Sequence, residues 1–159
     1  KTAVIAGAEL GYALPLGDAF ILDIGATYVE GDAKLKYNTD DAGAGNSDVT
    51  FEVADQYTYY IAPTLVLSET SSVYFKAGEV DADVTIVGDV TKVTELSGEI
   101  YALGTRTQLD NGIYIRSEAG IQEYDKLSVT GLGTTVPTTT TVTADPTIAY
   151  GAISVGFKF

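Results

Sequence analysis

The chain contains no cysteine, histidine, methionine or tryptophan. Without cysteine it has neither disulfides nor thiolate metal sites. Without histidine it lacks the commonest general base and the commonest zinc ligand, and every Ser-His-Asp or Cys-His nucleophile arrangement is excluded. Positive charge is scarce: 9 Lys and Arg stand against 22 Asp and Glu, for a formal net charge of −13. A nucleic-acid partner is argued against, since phosphates need a clustered basic surface. Long hydrophobic runs are also missing. No stretch of about 18 apolar residues exists, so a transmembrane helix is excluded.

What is present is alternation. In Tyr150–Phe159, side chains at every second position back from the end are Phe159, Phe157, Val155, Ile153 and Gly151. Lys158, Gly156, Ser154, Ala152 and Tyr150 lie between them. This is a period-2 strand with one face for an apolar medium and one for a polar or crowded interior. The same pattern recurs upstream, giving seven strand candidates near Ala3–Leu14, Phe20–Leu35, Phe51–Leu67, Val73–Val87, Gly98–Leu109, Ile113–Val129 and Tyr150–Phe159.

Short and long connections take turns. Pro15–Asp18, Ser68–Ser72 and Asp110–Gly112 are tight, and Asn111-Gly112 predicts a type I′ turn. The regions near residues 38–50, 88–97 and 130–145 are long and polar. In the third strand Pro63 predicts a bulge or bend. In the fourth, Glu79, Asp81 and Asp83 share a face opposite Val80, Ala82, Val84 and Ile86, so its far end changes character.

The terminal strand resembles the last strand of small bacterial outer-membrane β-barrels, of the OmpA transmembrane-domain, OmpX and opacity-protein type. The resemblance implies one domain over 1–159: an all-β, antiparallel up-and-down transmembrane barrel. It implies outer-membrane lipid as surroundings, long loops outside the cell and the C-terminus in the periplasm. It also makes Ile153, Val155, Phe157 and Phe159 a signal read by the barrel-assembly machinery. Single-chain bacterial barrels have an even number of strands. Seven strands with a descending last one therefore predict eight, with an ascending strand before Lys1. Barrel enzymes of this size rely on histidine, so the chain is not expected to be an enzyme, and no cofactor is implied.

The faces opposite the apolar ones carry Glu9, Asp23, Lys76, Arg106, Arg116, Glu118 and Lys158. An eight-stranded barrel is just wide enough to be filled by its side chains, and charges inside must pair. These seven are expected to form a structural lumen network, with an ion pathway as the sharper alternative. Tyr12, Tyr28, Tyr57 and Tyr59 fall on the apolar face as girdle residues. Acids crowd the long loops: Glu30, Asp32, Asp40, Asp41, Asp48, Glu52 and Asp55, then Glu79, Asp81, Asp83, Asp89, Glu95 and Glu99. A solvated rim is the plain reading; Asp81-Ala-Asp83 lacks the Gly and distal Glu of a calcium loop. Gly43-Ala-Gly45 and Gly131-Leu-Gly133 open no helix and carry no Lys, so neither cradles phosphate. The function expected is that of a structural surface component with an adhesive role. A narrow, weakly cation-preferring diffusion channel and a soluble secreted β-sandwich binding module are the alternatives.

Overall fold

A computed structural model of the chain describes residues 6–31, 33–38 and 48–158. Lys1, Asp32, Asp40, Asp41, Gly43–Gly45 and Phe159, all named above, lie outside the described residues, as does the side chain of Asp48. The fold is all-β and antiparallel. Its strands are β1 (Ala6–Pro15), β2 (Phe20–Glu30), β3 (Ala33–Asn38), β4 (Asp48–Val66), β5 (Ser71–Val87), β6 (Glu95–Gln108), β7 (Ile113–Tyr124), β8 (Leu127–Thr130), β9 (Thr141–Ala144) and β10 (Thr147–Phe157). Seven of them form a path in the order β1-β2-β4-β5-β6-β7-β10, with β3 extending the pairing of β4.

This sheet curls into a half-barrel. Ion pairs that cross its hollow face, from β1 to β5 and β7 and from β2 to β6, record the curl. No pairing joins β1 to β10 among the described residues. The structure thus holds an open half-barrel where the sequence predicts a closed eight-stranded one. The seven path strands match the seven read from alternation.

Two boundaries differ from expectation. The strand expected at Phe20–Leu35 breaks between β2 and β3, opposite a bulge at Ala54/Gln56 in β4 whose extra residue, Asp55, has φ 45°. One expected at Ile113–Val129 stops at Tyr124, and β8 leaves the barrel wall to pair with β9 instead. Pro63 keeps its place opposite Leu22, and the pairing of β4 with β5 lapses at Ala62 and Pro63 without a register shift; the bulge itself sits at Asp55. The Asp110–Gly112 turn has both Asn111 (φ 72°) and Gly112 (φ 83°) left-handed, the backbone a type I′ hairpin demands.

Directly paired residues share a face, so register sorts the side chains. Leu10, Ile24, Ile61, Phe75, Leu103, Ile115, Ile153, Val155 and Phe157 point outward and are exposed. Toward the long-loop end the polarity of both faces reverses. One cross-strand row reads Ala77, Tyr101, Ile121 and Ala149; the next reads Glu79, Glu99, Glu123 and Thr147. Beyond that row the outer face of β5 is acidic, with Asp81 and Asp83 exposed, while β4 keeps Tyr57 opposite Asp81 and turns polar only past its bulge. There the inner face becomes the apolar core: Val49, Phe51, Val53, Val80, Ala82, Val84, Ile86 and Leu96 pack with Tyr124 and with Leu127, Val129, Val136 and Val142 from the β8–β9 hairpin region.

Candidate functional site

The hollow face of the half-barrel holds a continuous polar network. Glu118 on β7 is its centre: it accepts from Tyr150 Oη at 2.6 Å, Tyr74 Oη at 2.8 Å and Lys76 Nζ at 3.2 Å. Arg116 donates to Glu118 at 3.5 Å, to Glu9 on β1, and through Nε to Tyr74 Oη at 3.2 Å. The same guanidinium lies 4.4 Å over the Tyr74 ring, and Lys76 Nζ lies 4.3 Å over Tyr60. Lys76 also reaches Glu9 at 3.9 Å. A second group stands nearer the short turns, where Arg106 Nη2 donates to Asp23 at 2.9 Å and Thr64 Oγ1 donates to the same carboxylate at 2.8 Å.

These side chains meet because every second residue of a strand faces inward and the sheet is strongly curved. Burial of the cations is deep: the Lys76 and Arg116 side chains are 4% and 9% exposed. Charges so removed from water persist only when paired, and the pairing here is complete. Among the described residues no buried side-chain nitrogen or oxygen lacks a hydrogen-bond partner.

Glycines give the network its room. Tyr60 lies opposite Gly25, Tyr74 opposite Gly104, Tyr114 opposite Gly156 and Tyr150 opposite Gly120, each pair in direct register on the inner face. A Cβ on Gly25, Gly104 or Gly156 would overlap the facing tyrosine. The rings therefore lie across the neighbouring strand, and the hydroxyls of Tyr74 and Tyr150 reach the Glu118 carboxylate.

Six of the seven residues expected in the lumen, Glu9, Asp23, Lys76, Arg106, Arg116 and Glu118, join in ion pairs. Lys158 does not: it is exposed beside the short-turn end, lining the mouth of a cavity of about 500 Å³ together with Asp23, Arg106, Gln108 and Tyr114. Ile153, Val155 and Phe157 stand 80%, 72% and 60% exposed on the outer face of β10, an edge strand. Tyr12, Tyr57 and Tyr59 are exposed outward as expected, while Tyr28 is half-buried, packs on Tyr57 and donates to Asp55 at 2.9 Å.

The inward tyrosines were not expected as a group, although their shared parity with Lys76, Arg116 and Glu118 carries that signal. Asp89 was not singled out either. One oxygen of this carboxylate accepts backbone N–H bonds from Thr134, Thr135 and Val136, at 2.6, 2.5 and 3.1 Å. Those donors, chiefly Thr135 and Val136, hold the Asp89 carboxyl below its usual range. The contact ties the β5–β6 loop to the long β8–β9 loop, beside the Val90–Gly131 bridge. Among the described residues no group of three or more acidic side chains is placed to hold a metal ion.

A scan of family models, a search of curated proteins and a search of solved structures find no match to this chain.

Proposed function

We propose that the chain is the body of a small bacterial outer-membrane β-barrel. In this reading it is a structural surface component, with adhesive capacity in its acidic external loops. One observation carries the reading: the polarity of both faces reverses along the sheet, at one cross-strand row on β5, β6, β7 and β10 and farther on, past Tyr28 and Tyr57 at the Asp55 bulge, on β2 and β4. Between that row and the short turns the outer face is apolar and the inner face polar. Beyond the reversal, the outer face of β5, β6 and β7 is acidic and the inner face apolar. A water-soluble sheet buries its apolar face throughout and has no reason to turn inside out. Lipid gives that reason, because it replaces water outside the strands over a band of about 25 Å and no further. β1 and β2, at 10 and 11 residues, match the length a tilted strand needs to cross it.

The finer reading is an eight-stranded closed barrel with one more strand between β1 and β10. Both edge strands descend in the same direction, since six antiparallel steps separate them. Pairing them directly would be parallel; one ascending strand between them keeps every pair antiparallel. Long loops then lie outside the cell, the short turns and the C-terminus lie in the periplasm, and exposed β10 is the strand offered to the assembly machinery.

The diffusion-channel reading is not favoured. The polar network fills the middle of the lumen, and the apolar core closes the external end. Unheated and boiled samples in detergent gels test the proposal. The folded chain should need detergent to stay in solution and should shift mobility on boiling. A chain that stays folded and monomeric in plain buffer would end the membrane reading. Planar-bilayer recordings should show no steady conductance; a stable open level would favour the channel.

A further inference from the structure

Both faces of the two edge strands are exposed, not the outer face alone. On β10, inward Ala152 and Ser154 are exposed along with outward Ile153 and Val155, and every residue of β1 except Ala13 is exposed. Apart from Glu9 and Tyr150, which join the inner network, the inner residues along this seam are mostly small: Gly7, Gly11 and Ala13 on one side, Ala152, Ser154 and Gly156 on the other. They leave volume that the rest of the wall does not fill.

Resting on the barrel reading above, we infer that the seam takes one extended polypeptide strand, antiparallel to both edges, whose inward side chains are bulky and carry no net charge. A single strand fits the cross-lumen reach of Glu9. It bonds Lys76 on β5, three strands away along the sheet. Arg116 on β7, its other partner, is three strands away the opposite way round only if one strand fills the gap. Uncharged inner residues follow from the balance already struck. Glu9, Asp23 and Glu118 face Lys76, Arg106 and Arg116, three acids to three bases, and no buried polar atom among the described residues waits for a partner. An added inward charge would be buried without a counter-ion. Bulk is needed because the seam's own inner residues are mostly small. The outward positions need apolar side chains, continuing Leu10 and Tyr12 to Ile153 and Val155.

A second copy of the chain does not fit. Placed upright, its β1 would meet β10 in parallel. Inverted, its edges would pair antiparallel, but its acidic loops would lie on the wrong side of the membrane.

The test adds synthetic strands of about ten residues to the full chain refolded in phosphatidylcholine vesicles. One peptide alternates Leu and Val with Tyr, Thr and Ser. Two others carry a pair of Lys or a pair of Glu at inward positions, and a fourth scrambles the alternation. Dye-labelled peptide titrations give affinities, and hydrogen exchange reads the amides of β1 and β10. The neutral peptide should protect both edges at once and bind at least about tenfold tighter than the Lys or Glu peptide, which should be alike. Glu9→Gln leaves one base in excess, so the Glu peptide should then outbind the Lys peptide by about tenfold. Charged peptides binding as tightly as the neutral one, protection of a single edge, or an unchanged ranking in Glu9→Gln would overturn the inference. Failure of the barrel reading looks different, because the chain would then stay folded in buffer without vesicle or peptide.

Discussion

Replacing Glu118 by Gln keeps the shape of the side chain and removes its charge. Lys76 and Arg116, both nearly buried, would then share Glu9 as their remaining counter-ion, and Glu9 is 24% exposed. Removing one partner of a buried pair costs about 3–5 kcal/mol, because the other charge is stranded. The amide oxygen of Gln can still accept from Tyr74 or Tyr150, which returns about 1 kcal/mol. The expected loss is therefore about 2–4 kcal/mol, read as a lower midpoint of urea unfolding in vesicles at an unchanged slope. Adding Lys76→Gln restores the charge balance, and the double variant should recover about 1 kcal/mol or more of that loss. If Glu118→Gln costs less than about 1 kcal/mol, the value of a solvated surface pair, the lumen is wet and the filled-barrel reasoning fails.

Three further outcomes follow from the same geometry. Gly104→Val should push the Tyr74 ring off its neighbour and away from Glu118, at a cost of about 1–3 kcal/mol in the same unfolding assay; an unchanged midpoint would count against the ring packing. The Asp89 carboxyl is held below its usual value, so the contribution of its loop contact is present above pH 3.8, the ordinary value, and is lost as pH falls through the lower folded one. NMR amide shifts of Thr134, Thr135 and Val136 should accordingly titrate with a midpoint below 3.8 and should not titrate in Asp89→Asn. Phe51→Ala should expose the long loops to limited proteolysis, since it removes about 3–5 kcal/mol from the apolar core at the long-loop end, while leaving the detergent-gel shift in place.

The wall of the half-barrel was legible because period-2 alternation is imposed twice, by the strand and by the contrast between its two sides. The sequential strand order follows from it together with the short turns, and the tight Asn111-Gly112 turn was read from residues that tolerate positive φ. The bulge at Asp55 was not legible. Val49, Phe51 and Val53 precede it and Tyr57, Tyr59 and Ile61 follow it, so apolar residues hold odd positions throughout. The extra residue nevertheless moves the first set inside and the second outside. The sequence pattern looks unbroken because polarity and parity change at the same place. On β5, with no bulge, the same crossing shows openly as the switch from Phe75 and Ala77 to Glu79 and Asp81 on the outer face. The β8–β9 hairpin hid in a Thr-rich segment with too few apolar positions to set a period. The charged lumen residues could be read from parity, whereas Asp89 could not. Its partners are backbone N–H groups about 45 residues away, and those leave no side-chain trace.

In the proposed barrel, alternate side chains of the path strands touch hydrocarbon. The chain has no cysteine of its own, so single cysteines placed along β7 from residue 114 to 121 can each carry a nitroxide in lipid vesicles. Collision with lipid-soluble oxygen should be high at 115, 117, 119 and 121 and low at 114, 116, 118 and 120, with a water-soluble nickel chelate excluded from the first set. Oxygen access without that two-residue period, or chelate access at 115 and 119, would contradict the account.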